Sequence, residues 1–69
     1  MKAFLGILIF SAVETATVVV WAAVLDLGAS LPSETKLLAT GVLFVGYVIE
    51  HIIAFNVGKG RPIFSWPQA

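Results

Sequence analysis

Two long apolar runs limit what this sequence can fold into. The first covers residues 3–25 and contains one charged residue, Glu14. The second covers residues 37–55 and contains Glu50 and His51. A lipid hydrocarbon core about 30 Å thick is crossed by about 20 apolar residues of helix, so both runs are long enough to span it. An open strand would leave backbone groups without partners in lipid, and this favours helix for both runs.

The composition excludes several other classes of protein. Hydrophobic residues make up 59% of the chain and charged residues 12%, against about 45–50% and about 25% in soluble domains. The chain contains no cysteine, which excludes disulfides and cysteine metal sites. Its formal net charge is zero, so we expect no nucleic-acid partner. Because the sequence has neither a hydrolase-like Ser/His/Asp arrangement nor a phosphate-binding loop, we expect no enzyme.

The short connection between the runs carries the signals that end one helix and begin the next. Gly28 is suited to the left-handed conformation that follows many helices, and Asp26 precedes it. Pro32 fits the first turn of a helix, because its missing N–H would have no partner there. Glu34 then lies near the positive end of the helix dipole. A connection this short predicts that the two helices run antiparallel as a hairpin.

These signals predict a single folding unit. We expect helix one at about residues 2–27, a loop at 28–31, helix two at about 32–57 and an interfacial tail at 58–69. Gly58, Gly60 and Pro62 mark the end of helix two. The predicted fold class is an all-α membrane protein, a two-helix transmembrane antiparallel hairpin that associates into a four-helix or larger bundle. The first run is too long for the core of a signal peptide and no cleavage site follows it, so we expect it to remain as a helix.

Basic residues are distributed unevenly between the two ends of this hairpin. Lys2, Lys59 and Arg61 flank the runs at the end that carries both termini, whereas the loop side carries Lys36. Cytoplasmic segments are enriched in Lys and Arg, so we expect an integral membrane protein with both termini in the cytoplasm. Trp66 is expected to anchor the tail in the headgroup layer. The alternative is a loose tail that touches a partner subunit.

Ionisable side chains inside the runs indicate where a function would reside, because each costs at least a few kcal/mol in lipid if charged and unpaired. At about 1.5 Å of rise per residue, Glu14 is level with Tyr47, and Ser11 is level with Glu50. The predicted buried polar layer contains Ser11, Glu14, Tyr47, Glu50 and His51. Glu50 and His51 are adjacent, so their side chains point about 100° apart. One neighbouring helix does not satisfy both of them and Glu14, which predicts further helices around the hairpin.

Small residues follow the same faces and predict close helix packing. In helix two, Gly46, Ala54 and Gly58 share a four-residue spacing with Glu50, and helix one offers Ala12 and Ala16. Small residues at this spacing let helices approach closely in lipid. Helix one is also expected to present Ser11, Glu14, Thr17 and Trp21 on one face. The predicted partners are the lipid bilayer together with a second copy of the chain or a larger membrane complex.

Two further functions are compatible with these residues. His51 is a candidate ligand for b-type haem or a metal between protomers, since a twofold dimer would supply a pair of histidines. The adjacent order of Glu50 and His51 departs from the Glu-x-x-His pattern of di-iron bundles. Glu14 and Glu50 are candidates for proton or cation translocation, because buried acids mark such pathways.

Each of these side chains also has a purely structural interpretation. Glu14 would then bond to Ser11, Thr15 or a backbone carbonyl. Glu50 would hold neighbouring helices together, and His51 would donate to a carboxylate or to the hydroxyl of Tyr47. The sequence alone does not choose between these roles.

Overall fold

The computed structural model describes residues 2–67, in which all regular secondary structure is helical. Helix α1 covers Lys2–Val24 and helix α2 covers Ser33–Gly58. At 1.5 Å per residue they are about 34 and about 39 Å long, and the hairpin measures 44 × 17 × 17 Å. Both helices are long and apolar enough to cross a membrane, as predicted. Met1 and the last two residues of the expected tail, 68 and 69, lie outside the described residues.

Helix α1 ends three residues before its predicted end, because Asp26 rather than Gly28 takes the left-handed position after the helix. Asp26 has a φ of 57°. Its N–H donates to the carbonyl of Ala23 at 3.1 Å, and the N–H of Leu27 donates to that of Ala22 at 2.9 Å. This pair of bonds is a Schellman motif, in which aspartate replaces the usual glycine. Gly28, with a φ of 74°, serves the loop instead.

Helix α2 begins as the sequence indicated, within one residue. Pro32 is its N-cap residue, with φ −60° and ψ 153°, and Ser33 is the first helical residue. The carbonyl of Pro32 accepts a hydrogen bond from the N–H of Lys36 at 3.1 Å. Glu34 lies in the first turn, where a carboxylate is favoured by the helix dipole.

The far end of α2 is closed by a second Schellman motif. Gly60 has a φ of 69° and its N–H donates to the carbonyl of Val57 at 3.1 Å. The N–H of Arg61 donates to the carbonyl of Asn56 at 2.9 Å. The helix therefore ends at Gly58, one residue beyond the predicted position, through the glycine that the sequence analysis marked.

Most of the residues that the helices bury are polar, and Ile7 is the large apolar one among those described. The buried residues of the helices are Ile7, Ser11 and Thr15 in α1 and Asn56 in α2. Large hydrophobic side chains point outward, with exposed fractions that run from 40% for Val18 to 81% for Phe64. Contact through small polar residues is typical of helices in lipid, where hydrophobicity does not drive helix association.

Gly28 provides a test of the connecting turn. An added Cβ at this position would lie 3.2 Å from Cδ1 of Leu31, on a backbone with positive φ. We expect Gly28→Ala to lower the free energy of unfolding by about 1–2 kcal/mol, the cost of a left-handed L-residue. The measurement is loss of helix contact during titration of the detergent-solubilised protein with dodecyl sulfate. The matched control is Gly41→Ala, which adds the same methyl group to an open helical position and should not destabilise. An equal loss for both variants would contradict the strained turn.

Candidate functional site

Glu14 of α1 and His51 of α2 form the polar contact that joins the two apolar runs. Nε2 of His51 donates a hydrogen bond to Oε1 of Glu14 when the carboxyl group is ionised. The pair is a salt bridge when the imidazole is also protonated. The side chains of His51 and Glu14 are 23% and 30% exposed, so each is largely enclosed by the hairpin. The contact satisfies a carboxyl group at the centre of its apolar run, where lipid would offer no partner.

The direction of the side chains explains why Glu14 meets His51 rather than its level neighbour Tyr47. Every Cα–Cβ bond of a helix tilts towards the helix N-terminus. In antiparallel helices the side chain of Glu14 therefore leans towards the terminal end, and that of His51 leans towards the loop. The two tilts close a gap of one turn. Phe10, one turn before Glu14, contacts the His51 ring edge-on, with centroids 5.1 Å apart and planes at 83°.

Aromatic rings enclose the imidazole on further sides. The ring of Tyr47 stacks with that of His51, with centroids 6.4 Å apart and planes 16° from parallel. The two residues are four apart in α2 and share its face towards α1. Tyr47 meets the imidazole through its ring, and the hydroxyl bond considered from the sequence is not among the hydrogen bonds of residues 2–67.

Ser11 and Thr15 continue the polar contact along α1. The Thr15 hydroxyl donates to the Ser11 carbonyl at 2.8 Å, and the Ser11 hydroxyl is fully buried with no hydrogen-bond partner among the described residues. The expected common face does not extend to Thr17 and Trp21, which lie on the outer surface. Steps of three residues rotate by 300° rather than 360°, so the series turns away from α2 within two steps.

Glu50 lies outside the contact between the two helices. Its residue is exposed, and the hydrogen bonds and salt bridge of residues 2–67 leave its carboxyl group without a partner. Gly46, Ala54 and Gly58 are exposed beside it, and a Cβ added at either glycine would meet no atom within 4 Å. Ala12 and Ala16 of α1 also face outward. The hairpin thus divides the predicted polar layer, with Ser11, Glu14, Tyr47 and His51 inside and Glu50 outside.

The surroundings of His51 bear on ligand binding. Nε2 is engaged by Glu14, so a haem iron bound at that nitrogen would have to displace the carboxyl group. The described residues bring no three His, Asp or Glu side chains together in a group that would hold a metal ion. Glu14 and His51 are two side chains, one fewer than such a group contains.

Asn56 is a site residue that the sequence analysis missed. It is fully buried, and its Nδ2 donates to the carbonyl of Ile63 at 3.0 Å and to that of Ser65 at 2.6 Å. These bonds hold the segment 59–67, here called the terminal cap, against the end of α2. The ring of Trp66 contacts that of Phe4 of α1, with centroids 4.4 Å apart. The sequence did contain a signal for these contacts, an asparagine in the last turn of an apolar helix. A buried amide requires hydrogen-bond partners, and the segment after the helix is the nearest source of them.

No family model, curated protein or solved structure matches this chain. The placement of Glu14, His51 and Glu50 is therefore the basis for a function. Two of these side chains satisfy each other within the hairpin, and the third faces outward.

A double-mutant cycle tests the contact between the helices. We expect Glu14→Ala and His51→Ala to be coupled by about 0.5–3 kcal/mol in the free energy of unfolding, because the two side chains share one hydrogen bond. The measurement is dodecyl sulfate titration of both single variants and the double variant. The control cycle pairs Glu50→Ala with His51→Ala, whose side chains are adjacent in sequence but lie on different sides of α2. In the control cycle the two single effects on the free energy of unfolding should add. Additive effects of Glu14→Ala and His51→Ala would contradict the contact.

Proposed function

We propose that this chain is a small integral membrane protein whose hairpin assembles with further helices through the surface that carries Glu50. Membrane insertion is supported by the length and apolar character of both helices. It is also supported by the outward direction of the large hydrophobic side chains. Soluble monomers rarely expose continuous apolar patches above a few hundred Å². In a bilayer the same surface would be solvated by lipid.

The position of Glu50 is the observation that carries the assembly. Glu50 lies four residues, about 6 Å, from the centre of its apolar run. A carboxyl group facing lipid at that depth is unfavourable by a few kcal/mol. Contact with another helix would supply a hydrogen-bond partner. Gly46 and Gly58 leave open space on either side of Glu50, which would let the backbone of a second helix approach closely.

A second copy of the chain satisfies this surface without any other component. A twofold arrangement of the α2 helices would bring Glu50 opposite the same residue of the partner chain. Two opposed carboxyl groups do not both ionise readily, and a protonated one donates to the other. A larger membrane complex would instead supply a donor from its own helix. The basic residues at the terminal end support an orientation with both termini in the cytoplasm.

Two glycines of α2 make a matched test of this surface. Gly46 lies one turn from Glu50, whereas Gly41 lies nine residues away, about 180° around the helix. We expect Gly46→Leu to abolish association because leucine fills the space that a second helix would occupy. We expect Glu50→Leu to abolish it because the hydrogen-bonding carboxyl group is lost. Gly41→Leu should leave it intact, and Glu50→Gln should retain it through amide hydrogen bonds. Light scattering in detergent and dilution-dependent energy transfer between labelled chains in liposomes report the association.

The outcomes separate the two kinds of partner. A wild-type oligomer disrupted by Gly46→Leu but not by Gly41→Leu supports a second copy. A wild-type monomer, with co-purification of a membrane complex that is lost in Gly46→Leu, supports a larger assembly. Equal effects of the two leucine substitutions on every readout would contradict the proposed surface.

Proton or cation movement is a second candidate, favoured by the contact between Glu14 and His51. A carboxyl–imidazole pair can hold a proton on either partner, and the buried Ser11 hydroxyl lies one helical turn away on α1. Haem binding has less support, because Nε2 of His51 is engaged by Glu14. An absorbance spectrum of the purified protein without a haem band would remove that alternative.

A flux assay tests the second candidate. If the pair carries protons, liposomes containing the wild-type chain should acidify in response to a potassium diffusion potential faster than empty liposomes. Glu14→Gln should reduce the rate to that of empty liposomes, because an amide does not exchange a proton with the imidazole. Glu34→Gln, at the start of α2, is the matched carboxyl-to-amide control and should have no effect. Flux that persists in Glu14→Gln would exclude the pair as the pathway.

A further inference from the structure

Within residues 2–67, the cationic side chains at the terminal end of the hairpin have no acidic side chain next to them. Lys2, Lys59 and Arg61 lie at this end, whereas Asp26 and Glu34 lie at the loop end. The salt bridge among residues 2–67 joins a different pair, Glu14 and His51. The nearest acid along α2 is Glu50, which precedes Lys59 by nine residues, about 13 Å of helix. No acidic side chain of the described residues therefore pairs with these cations, which leaves them suited to bind an external anion.

The terminal cap holds two of these cations at fixed backbone positions. Lys59 and Arg61 flank Gly60, whose positive φ forms the Schellman turn. The N–H of Arg61 donates to the carbonyl of Asn56, and the side-chain amide of Asn56 holds the following segment. Nζ of Lys59 lies 5.7 Å from the centre of the Phe55 ring. A site that is ordered before binding loses less conformational entropy when its ligand arrives.

Apolar side chains project from the same cap. Ile63 is 45% exposed, Phe64 81% and Trp66 51%, although the ring of Trp66 also contacts that of Phe4 at a tilt of 39°. Exposed aromatic residues beside Lys and Arg are typical of segments that lie at the boundary between headgroups and acyl chains. At that boundary the anionic groups within reach of the cations are lipid phosphates.

We infer that the terminal cap binds the phosphate of anionic lipid headgroups through Lys59 and Arg61, with Phe64 and Trp66 among the upper acyl carbons. A guanidinium offers two parallel N–H donors to a phosphate, and an ammonium adds a point charge. Phosphatidylglycerol carries a net negative charge, whereas phosphatidylcholine cancels its phosphate with choline, so the cap should select the former. This inference rests on the proposed membrane insertion but is independent of assembly through Glu50.

Trp66 is a built-in reporter of the lipids at the cap. In the full-length chain with Trp21→Phe, Trp66 is the remaining tryptophan. The protein is placed in phosphatidylcholine nanodiscs that contain an equal small fraction of brominated phosphatidylglycerol or brominated phosphatidylcholine. We expect brominated phosphatidylglycerol to quench Trp66 as if enriched about fivefold, the effect of roughly one surface cation. Replacement of both cations by Lys59→Gln and Arg61→Gln should abolish the preference.

Matched variants and salts distinguish the remaining interpretations. Lys36→Gln removes a cation at the loop end and should leave the preference unchanged. Equal quenching by the two lipids, or a preference that survives loss of both cap cations, would overturn the inference. A shift of Trp66 emission by sodium phosphate in pure phosphatidylcholine, absent with sodium chloride at equal ionic strength, would assign the site to free phosphate instead. Failure of the wild-type chain to incorporate into nanodiscs would overturn the membrane insertion itself, and with it this inference.

Discussion

Two helices share a single interface, and this limits how many polar side chains the chain can satisfy by itself. The interface of this hairpin takes in Glu14 and His51, together with two hydroxyl groups of α1. Adjacent residues of a helix point about 100° apart, so the side chain next to His51 faces another direction. Glu50 is that side chain. The same contact that satisfies one acid thus leaves the other on the outer surface, and the proposed assembly follows from this division.

The sequence predicted the two helices and their antiparallel order, because these depend on local features. The length of an apolar run predicts a helix directly. Pro32 and Gly60 set the two ends of α2 through backbone effects within one helical turn. The pairing of Glu14 with His51 was not predicted from depth alone. It depends on the rotation of each helix about its axis and on the opposite tilt of side chains in antiparallel helices. The premature end of α1 depends on Asp26 adopting a backbone conformation that glycine usually takes.

The sequence patterns did not predict the contacts of the terminal cap, for a different reason. Its contacts join residues that are far apart in the chain, such as Phe4 and Trp66. The sequence analysis expected Trp66 to anchor the tail in the headgroup layer and predicted no contact between Trp66 and the helices. In the structure Asn56 holds the terminal cap against the end of α2, so that the cations and aromatic rings of the cap lie close together. A tail held in this way differs from a loose anchor, because its parts would meet a bilayer surface in a fixed arrangement.

The spacing between His51 and Asn56 ties the interior of the hairpin to its end. His51 faces α1 and Asn56 faces the carbonyls of the terminal cap, with four residues between them in α2. Insertion or deletion of one residue between them would rotate one relative to the other by about 100°. Either the contact between Glu14 and His51 or the hydrogen bonds of the Asn56 amide to the terminal cap would then be lost. The number of residues in the segment 52–55 is therefore constrained, even where its apolar side chains are interchangeable. Related chains should vary in the composition of this segment rather than in its length.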